Sequence, residues 1–83
     1  MTEDRIRTVI AQHARLGVDA SSLGVEDDLY AAGMTSHASV NLMLALENEF
    51  DVEFPDAMLR RSVFENIDSI RTALDDLAHE AAA

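Results

Sequence analysis

The sequence predicts an all-α fold, a four-helix bundle of three longer helices and one short helix, with a long loop between the first and the second. Apolar residues recur at helical spacing in several stretches, and no stretch of useful length alternates apolar and polar residues as a strand does. Gly17, Gly33 and Pro55 separate these stretches, as residues that end or redirect helices do. The 83 residues, 48% of them hydrophobic, are enough for a single domain, residues 1–83, with a compact core.

The first predicted helix covers about residues 2–16. Thr2 can cap its free N–H groups, and Glu3 and Asp4 place negative charge at the positive end of the helix dipole. One face holds Ile6, Val9, Ile10, His13 and Leu16. Gly17 follows in the position where helices usually stop.

A long loop from Val18 to Thr35 connects this helix to the next. Because so long a connection is unusual in a small domain, we expect it to cross the bundle and to be held by buried side chains. The candidates are Leu23, Val25, Leu29, Tyr30 and Met34. The pair Asp27 and Asp28 is suited to capping a short turn within the loop.

The second predicted helix covers about residues 36–50. On a helical wheel centred on Leu46, the inner face holds Ser39, Leu42, Met43 and Phe50. The opposite face holds His37, Val40, Asn41, Leu44 and Asn48. Because Val40 and Leu44 are apolar on the side away from the core, we expect them to be exposed and available to a partner, with burial under the long loop as the alternative.

The last two predicted helices are a short one at about residues 56–61 and a longer one at about residues 66–78. Pro55 precedes the short helix, where its missing N–H costs nothing. The longer helix has an inner stripe formed by Ile67, Ile70, Leu74 and Leu77.

The charge of the chain restricts its partners. Sixteen acidic residues oppose six arginines, which gives a formal net charge of −10. This charge repels phosphate backbones and anionic membranes, so we expect no nucleic-acid or membrane partner and instead proteins with basic docking surfaces. No apolar run approaches the ~20 residues that span a bilayer, and the N-terminus lacks the apolar core of a signal peptide. A cytoplasmic monomer is the expectation.

The chain contains no cysteine and therefore has no thiol of its own. Any thioester must use a thiol on an attached group. The three histidines, His13, His37 and His79, lie at no spacing typical of a metal site, so no metal is expected.

The run from Asp28 to His37, DLYAAGMTSH, resembles the D-x-x-x-x-G-x-D-S-L signature of acyl and peptidyl carrier proteins. The following LMLALENEFDVEFPD is similar to the second helix and next loop of that family. The resemblance covers about the middle half of the chain closely. It implies a free-standing carrier protein, not an enzyme, with 4′-phosphopantetheine from coenzyme A attached to Ser36. The implied partners are a phosphopantetheinyl transferase, an acyl- or amino-acid-activating ligase and a downstream enzyme that accepts the cargo.

The sequence departs from the family pattern at two positions. Thr35 replaces the usual aspartate, and His37 replaces the usual leucine. Threonine can still cap the helix but supplies no negative charge. The second helix is also neutral as far as Leu46. These departures favour a carrier for a specialised cargo, an amino acid or a secondary metabolite, over a carrier for bulk fatty-acid synthesis. A carrier for amino acids would be an aminoacyl carrier protein.

Several alternatives remain open on the sequence alone. Ser36 can be an ordinary helix cap, and the chain can be an unmodified acidic helical adaptor that binds partners through Val40 and Leu44. Arg60 and Arg61 can meet the cofactor's phosphate or a partner's acids, with pairing to Asp56 or Glu65 as the default. The predicted partner-binding residues are Thr35, His37, Val40, Asn41, Leu44 and Met58. Leu59 is a further candidate beside Met58, with burial of both in the core as the alternative.

Overall fold

The computed structural model describes residues 2–14 and 16–82, with side chains as far as residue 78, and over these residues all regular structure is helical. The helices, in chain order, are α1 at Thr2–His13, α2 at Ser36–Phe50, α3 at Arg61–Phe64 and α4 at Ile67–Ala82. Short 3₁₀ turns lie at Ala20–Ser22 and Asp56–Met58. The predicted all-α class is confirmed. Among the described residues, no helix has the length and apolar character that crossing a bilayer requires.

The core is formed where α1, α2 and α4 meet the long loop. Its largest fully buried side chains are Ile6, Ile10, Leu29, Leu42, Leu46, Ile67 and Ile70. Burial of each such side chain contributes about 1.5–3 kcal/mol relative to exposure. Because three helices and the loop each supply members of this cluster, the core fixes the position of α2 within the bundle.

Helix α1 ends earlier than the predicted range of 2–16. Its last residue, His13, is exposed instead of lying on the inner face, and Ala14 is fully buried directly after it. By Gly17 the chain has left the helix, since the Gly17 N–H donates to the carbonyl oxygen of Ala32 in the long loop at 3.2 Å. Arg15, which the predicted helix contains, lies outside the described residues.

The long loop is held against the bundle as predicted. Leu23, Leu29 and Met34 are buried, while Val25 and Tyr30 are half-buried. The guanidinium of Arg7 adds polar bonds, since it donates to the carbonyl oxygens of Ala20 at 2.9 Å and Leu23 at 2.6 Å. The Asp28 carboxylate caps a turn by accepting from the N–H of Tyr30 at 2.9 Å. The loop is thus a fixed part of the fold.

The segment after α2 differs from the single short helix predicted at 56–61. The structure has the 3₁₀ turn Asp56–Met58 and then a separate α3, with Leu59 between them at φ −83° and ψ 65°, outside the helical region. This break directs Phe64 into the core beside Phe54, where the ring centroids lie 5.3 Å apart in an edge-to-face arrangement. Aromatic packing therefore overrides a continuous helix here.

Helix α4 begins at Ile67 and extends to Ala82, beyond the predicted end at residue 78. Asn66 caps its start, because its Oδ1 accepts a hydrogen bond from the N–H of Ser69 at 2.7 Å. The added residues, HEAA, contain no glycine or proline, and alanine is the strongest helix former. The sequence thus contains no signal that stops the helix at residue 78.

Candidate functional site

Ser36 is the first residue of α2, and its side chain is exposed. Thr35 caps the helix from an extended backbone conformation, with its Oγ1 accepting from the N–H of Ala38 at 3.0 Å. No hydrogen bond involves the Ser36 hydroxyl within the part of the chain that the structure describes. Thr35 is therefore the helix cap, and the Ser36 oxygen remains available to carry a group.

The turn before α2 sets the direction of Ser36. Gly33 has a φ of 119°, a backbone conformation that residues other than glycine rarely adopt. An added Cβ would also lie 3.3 Å from the backbone nitrogen of Gly17. The next residue, Met34, is only 3% exposed, and its N–H donates to the carbonyl oxygen of Leu29 at 3.0 Å. Met34 thus anchors the turn inward, while Ser36 emerges on the outside.

The electrostatics at Ser36 suit an attached anion. The first turn of α2 contains no acidic residue, and the positive end of the helix dipole lies there. The first acid of α2 is Glu47, about 16 Å away along the helix at 1.5 Å per residue. Its Oε2 accepts from the N–H of Phe54 at 2.9 Å, so it serves the other end of the helix. A phosphodiester on Ser36 would therefore meet favourable dipoles and no nearby α2 carboxylate.

The chemistry available at Ser36 is that of an acceptor. A serine that acts as a nucleophile needs an adjacent base within hydrogen-bond reach. His37, the next residue, is exposed, and no described hydrogen bond joins it to Ser36. The site can accept a group that an enzyme transfers to it, and the described residues offer no catalytic machinery around it.

The face of α2 that leads away from Ser36 contains two exposed apolar residues. Val40 is 51% exposed and Leu44 is 53% exposed, as the helical wheel predicts. The long loop covers neither of them. On the other side of the same helix, the buried residues are Ala38, Leu42 and Leu46. The predicted alternative of burial under the loop is therefore wrong.

Three shallow grooves border this face. The first, of about 350 Å³ between α2 and the α3 segment, is lined by Tyr30, Ser39, Val40, Met43, Leu59, Arg60 and Phe64. The second, of about 370 Å³ against the end of α1, is lined by Gln12, His13, Asn41, Leu44, Ala45 and Asn48. The third, of about 240 Å³, is lined by Gly33, Thr35, His37, Ala38 and Asn41. The structure thus brings Thr35, His37 and Asn41 together beside Ser36, whereas Val40 and Leu44 line different grooves.

The contribution of the α3 segment to this face differs from the predicted one. Met58 is half-buried against the core, and Leu59 is the exposed residue, with 47% of its surface accessible. Leu59 lies between the 3₁₀ turn Asp56–Met58 and α3. Of these two predicted candidates, Leu59 is therefore the more exposed.

The predicted default pairing of Arg60 and Arg61 is also wrong. Within the described residues, neither guanidinium forms an ion pair with Asp56 or Glu65. Arg61 instead lies over the ring of Tyr30, with its Cζ 4.0 Å from the ring centroid. Arg60 lines the groove between α2 and α3.

Comparison with known proteins agrees with this geometry. A family model described as "Phosphopantetheine attachment site" matches residues 4–76. An aminoacyl carrier protein of Agrobacterium fabrum is 43% identical over an alignment of 74 residues, and the match covers 84% of this chain and 89% of that protein.

Two solved structures extend the comparison. One is an engineered Bradyrhizobium japonicum glycine:carrier protein ligase complexed with carrier protein from Agrobacterium tumefaciens and AMP. The match has 41% identity and a TM-score of 0.86, and it covers 88% of this chain and 97% of that chain. The other is the Bradyrhizobium japonicum ligase complexed with glycylated carrier protein. There the identity is 25% and the TM-score 0.74, with 87% of this chain and 96% of that chain covered.

Proposed function

The chain belongs to the phosphopantetheine attachment site family, and from this premise we propose that Ser36 is the attachment residue and that the cargo is an amino acid. As a member of this family, the chain is a carrier whose cofactor is covalently attached 4′-phosphopantetheine, and it performs no chemistry of its own. When bound, this group supplies a terminal thiol that holds the cargo as a thioester. The cysteine-free chain has no other source of a thiol.

The observation that carries the assignment of Ser36 is its exposed hydroxyl directly after the residue that caps α2. In the transfer from coenzyme A, the Ser36 oxygen attacks the β-phosphate, its proton passes to a base of the transferase, and adenosine 3′,5′-bisphosphate leaves. The chain's own residues position the acceptor in this step. Thr35 fixes the first turn, and the N–H groups of that turn stabilise the phosphodiester.

Two features support an amino-acid cargo over a fatty acid. The first turns of α2 are neutral from Ser36 to Leu46, unlike the acidic helix that we expect enzymes of fatty-acid synthesis to recognise. The similarity to an aminoacyl carrier protein, and to carrier proteins bound to a glycine ligase, supports the same choice. The proposed partners follow: a transferase, an amino-acid-activating ligase and an enzyme that accepts the aminoacyl group, all acting in the cytoplasm.

The partner-binding residues are proposed on the open face around Ser36. Thr35, His37 and Asn41 lie in one groove beside the serine, and Val40 and Leu44 continue the face along α2. Leu59 replaces Met58 in this set, because Leu59 is the exposed residue of the two. Since one carrier serves several enzymes in turn, this small exposed patch suits weak and reversible contacts.

The cargo is tested by loading. The protein is first converted to the holo form with coenzyme A and a transferase, and is then incubated with ATP, the Bradyrhizobium japonicum glycine ligase and each of a panel of amino acids. Fatty acids with an acyl ligase form the parallel arm. We expect an aminoacyl mass gain, most readily with glycine, that hydroxylamine removes. Loading by fatty acids alone would contradict the aminoacyl assignment and leave the attachment at Ser36 intact.

A further inference from the structure

The groove between α2 and the α3 segment has an apolar floor and a positively charged rim. Val40 and Leu59 are exposed at its two sides, 51% and 47% respectively, and Phe64 closes it from the core. Arg60 lines the groove directly. Arg61 lies against Tyr30, another lining residue, with its Cζ 4.0 Å from the ring centroid. Two guanidiniums therefore stand beside one apolar opening.

These two arginines differ from the other arginines whose surroundings the structure describes. Arg5 pairs with Glu49 at 2.9 Å, Arg7 lies 3.9 Å from Glu3, and Arg71 pairs with Asp68 at 2.6 Å and Asp75 at 3.6 Å. Among described residues, Arg60 and Arg61 have no carboxylate within 4.0 Å. With sixteen acids in the chain, a shortage of carboxylates does not explain this difference.

Two carboxylates that lie near groove-lining residues along the chain form hydrogen bonds of their own. The Asp28 carboxylate accepts from the backbone N–H groups of Tyr30 and Ala31, at 2.9 and 3.3 Å. Glu47 is bonded to the N–H of Phe54, and α2 has no acid before it. The groove is thus a local region of positive charge on a protein whose formal net charge is −10.

We propose that this groove docks a partner segment that presents a carboxylate next to an apolar side chain. The inference rests on the proposed function, since it specifies how a partner reads the face that borders Ser36. The apolar side chain enters between Val40 and Leu59, and the carboxylate pairs with Arg60 and Arg61. Arginine binds carboxylates with two parallel hydrogen bonds, and stacking on Tyr30 holds one guanidinium plane in place before binding.

The charge at the groove is positive, whereas the net charge of the whole protein is negative. The net charge of −10 attracts positively charged surfaces at long range and repels a partner that is acidic throughout. The docking carboxylate must therefore be a local feature of its partner. This arrangement adds selectivity, because a uniformly basic surface would meet two unpaired guanidiniums at the groove.

Two synthetic amphipathic helical peptides test the proposal. Both carry the same leucine stripe, flanked by glutamates in one peptide and by lysines at the same positions in the other. Each is titrated into the isotopically labelled holo protein, and backbone amide shifts are followed by NMR. We expect the glutamate peptide to shift Val40, Leu59, Arg60 and Arg61 and to bind there about tenfold more tightly than the lysine peptide.

Matched variants distinguish the effect of positive charge at the groove from the effect of the protein's net charge. Arg60→Gln, Arg61→Gln and the control Arg71→Gln each remove one positive charge. We expect the first two to weaken the glutamate peptide about threefold to tenfold each and the control to leave it unchanged. Thermal unfolding identifies any variant that is destabilised, and Arg60→Gln, which breaks no described ion pair or stack, then carries the test.

Three outcomes would overturn the proposal. The first is equal or tighter binding of the lysine peptide at the groove, and the second is no shift of the groove residues by either peptide. The third is a large change in the amide shifts of Arg60 and Arg61 when the apo protein is converted to the holo form, together with loss of glutamate-peptide binding. In that case the phosphate of the attached 4′-phosphopantetheine would bind the two arginines in place of the partner's carboxylate. Failure of the proposed function gives a different result, the absence of a phosphopantetheinyl mass gain, and the titration is then performed on the unmodified chain.

Discussion

The two faces of α2 both contain apolar residues, but these residues differ in how far they are buried. On the inner face, Leu42 and Leu46 are fully buried and Ala38 is 4% exposed. On the outer face, Val40 and Leu44 are about half exposed, and the neighbouring grooves are open to solvent. The comparison shows that hydrophobicity alone does not identify a core residue. The inner leucines hold the fold together, whereas the outer residues leave a surface free for partners beside Ser36.

The sharpest form of this comparison is one substitution made at two nearby positions. Leu46→Ala removes a fully buried side chain and leaves a cavity, so we expect the free energy of unfolding to fall by about 2–5 kcal/mol. Leu44→Ala removes a side chain that is 53% exposed, and we expect a change below about 0.5 kcal/mol. Urea denaturation of both variants measures the difference. Equal losses at the two positions would show that the outer face also belongs to the core.

A smaller effect on stability is expected at Thr35, the residue that caps α2 directly before Ser36. Thr35→Ala removes the oxygen that accepts from the Ala38 N–H, and loss of such a cap costs about 1 kcal/mol. Thr35→Asp keeps a capping oxygen, so we expect stability close to that of the original protein. Chemical denaturation tests both variants. A stable Thr35→Ala variant would mean that α2 does not depend on this cap and would reopen the possibility that Ser36 provides it.

Truncating an apolar side chain on the outer face should have the smallest effect on stability. Its main effect should be on partner binding. Val40→Ala has a matched control in Val18→Ala, because the two valines are 51% and 48% exposed but Val18 lies in the loop after α1, in a groove that contains no residue of α2. We expect Val40→Ala to raise the KM for loading of the holo protein roughly fivefold, the equivalent of about 1 kcal/mol, with kcat unchanged. Thermal unfolding should not distinguish the variants. A similar rise in KM for Val18→Ala would remove the special role of the outer face.

The outer face of α2 was accessible to sequence analysis because its signals are local. The glycine turn, the hydroxyl residues at Thr35 and Ser36 and the helical spacing of apolar residues all lie within one short stretch. Periodicity alone indicates that Val40 and Leu44 face away from Leu46. The resemblance to carrier proteins rests on the same stretch, which is why the sequence alone indicates Ser36.

The features that the sequence missed depend on contacts between distant segments. Gly17 pairs with Ala32 in the long loop instead of continuing α1, and Phe64 packs against Phe54 after the break at Leu59. No spacing rule encodes either contact. Leu59 is exposed directly after the 3₁₀ turn, and neither Arg60 nor Arg61 forms the predicted ion pair. Tertiary packing therefore shaped the α3 side of the site, which local patterns do not describe.

The most direct test of the account is the intact mass of two serine variants after incubation with coenzyme A and a phosphopantetheinyl transferase. Ser36 is exposed at the start of α2, whereas the Ser39 hydroxyl donates to the carbonyl oxygen of Ser36 at 2.7 Å. We predict that the original protein and Ser39→Ala each gain one phosphopantetheinyl group and that Ser36→Ala gains none. A gain by Ser36→Ala, or no gain by the original protein, would contradict the assignment of Ser36.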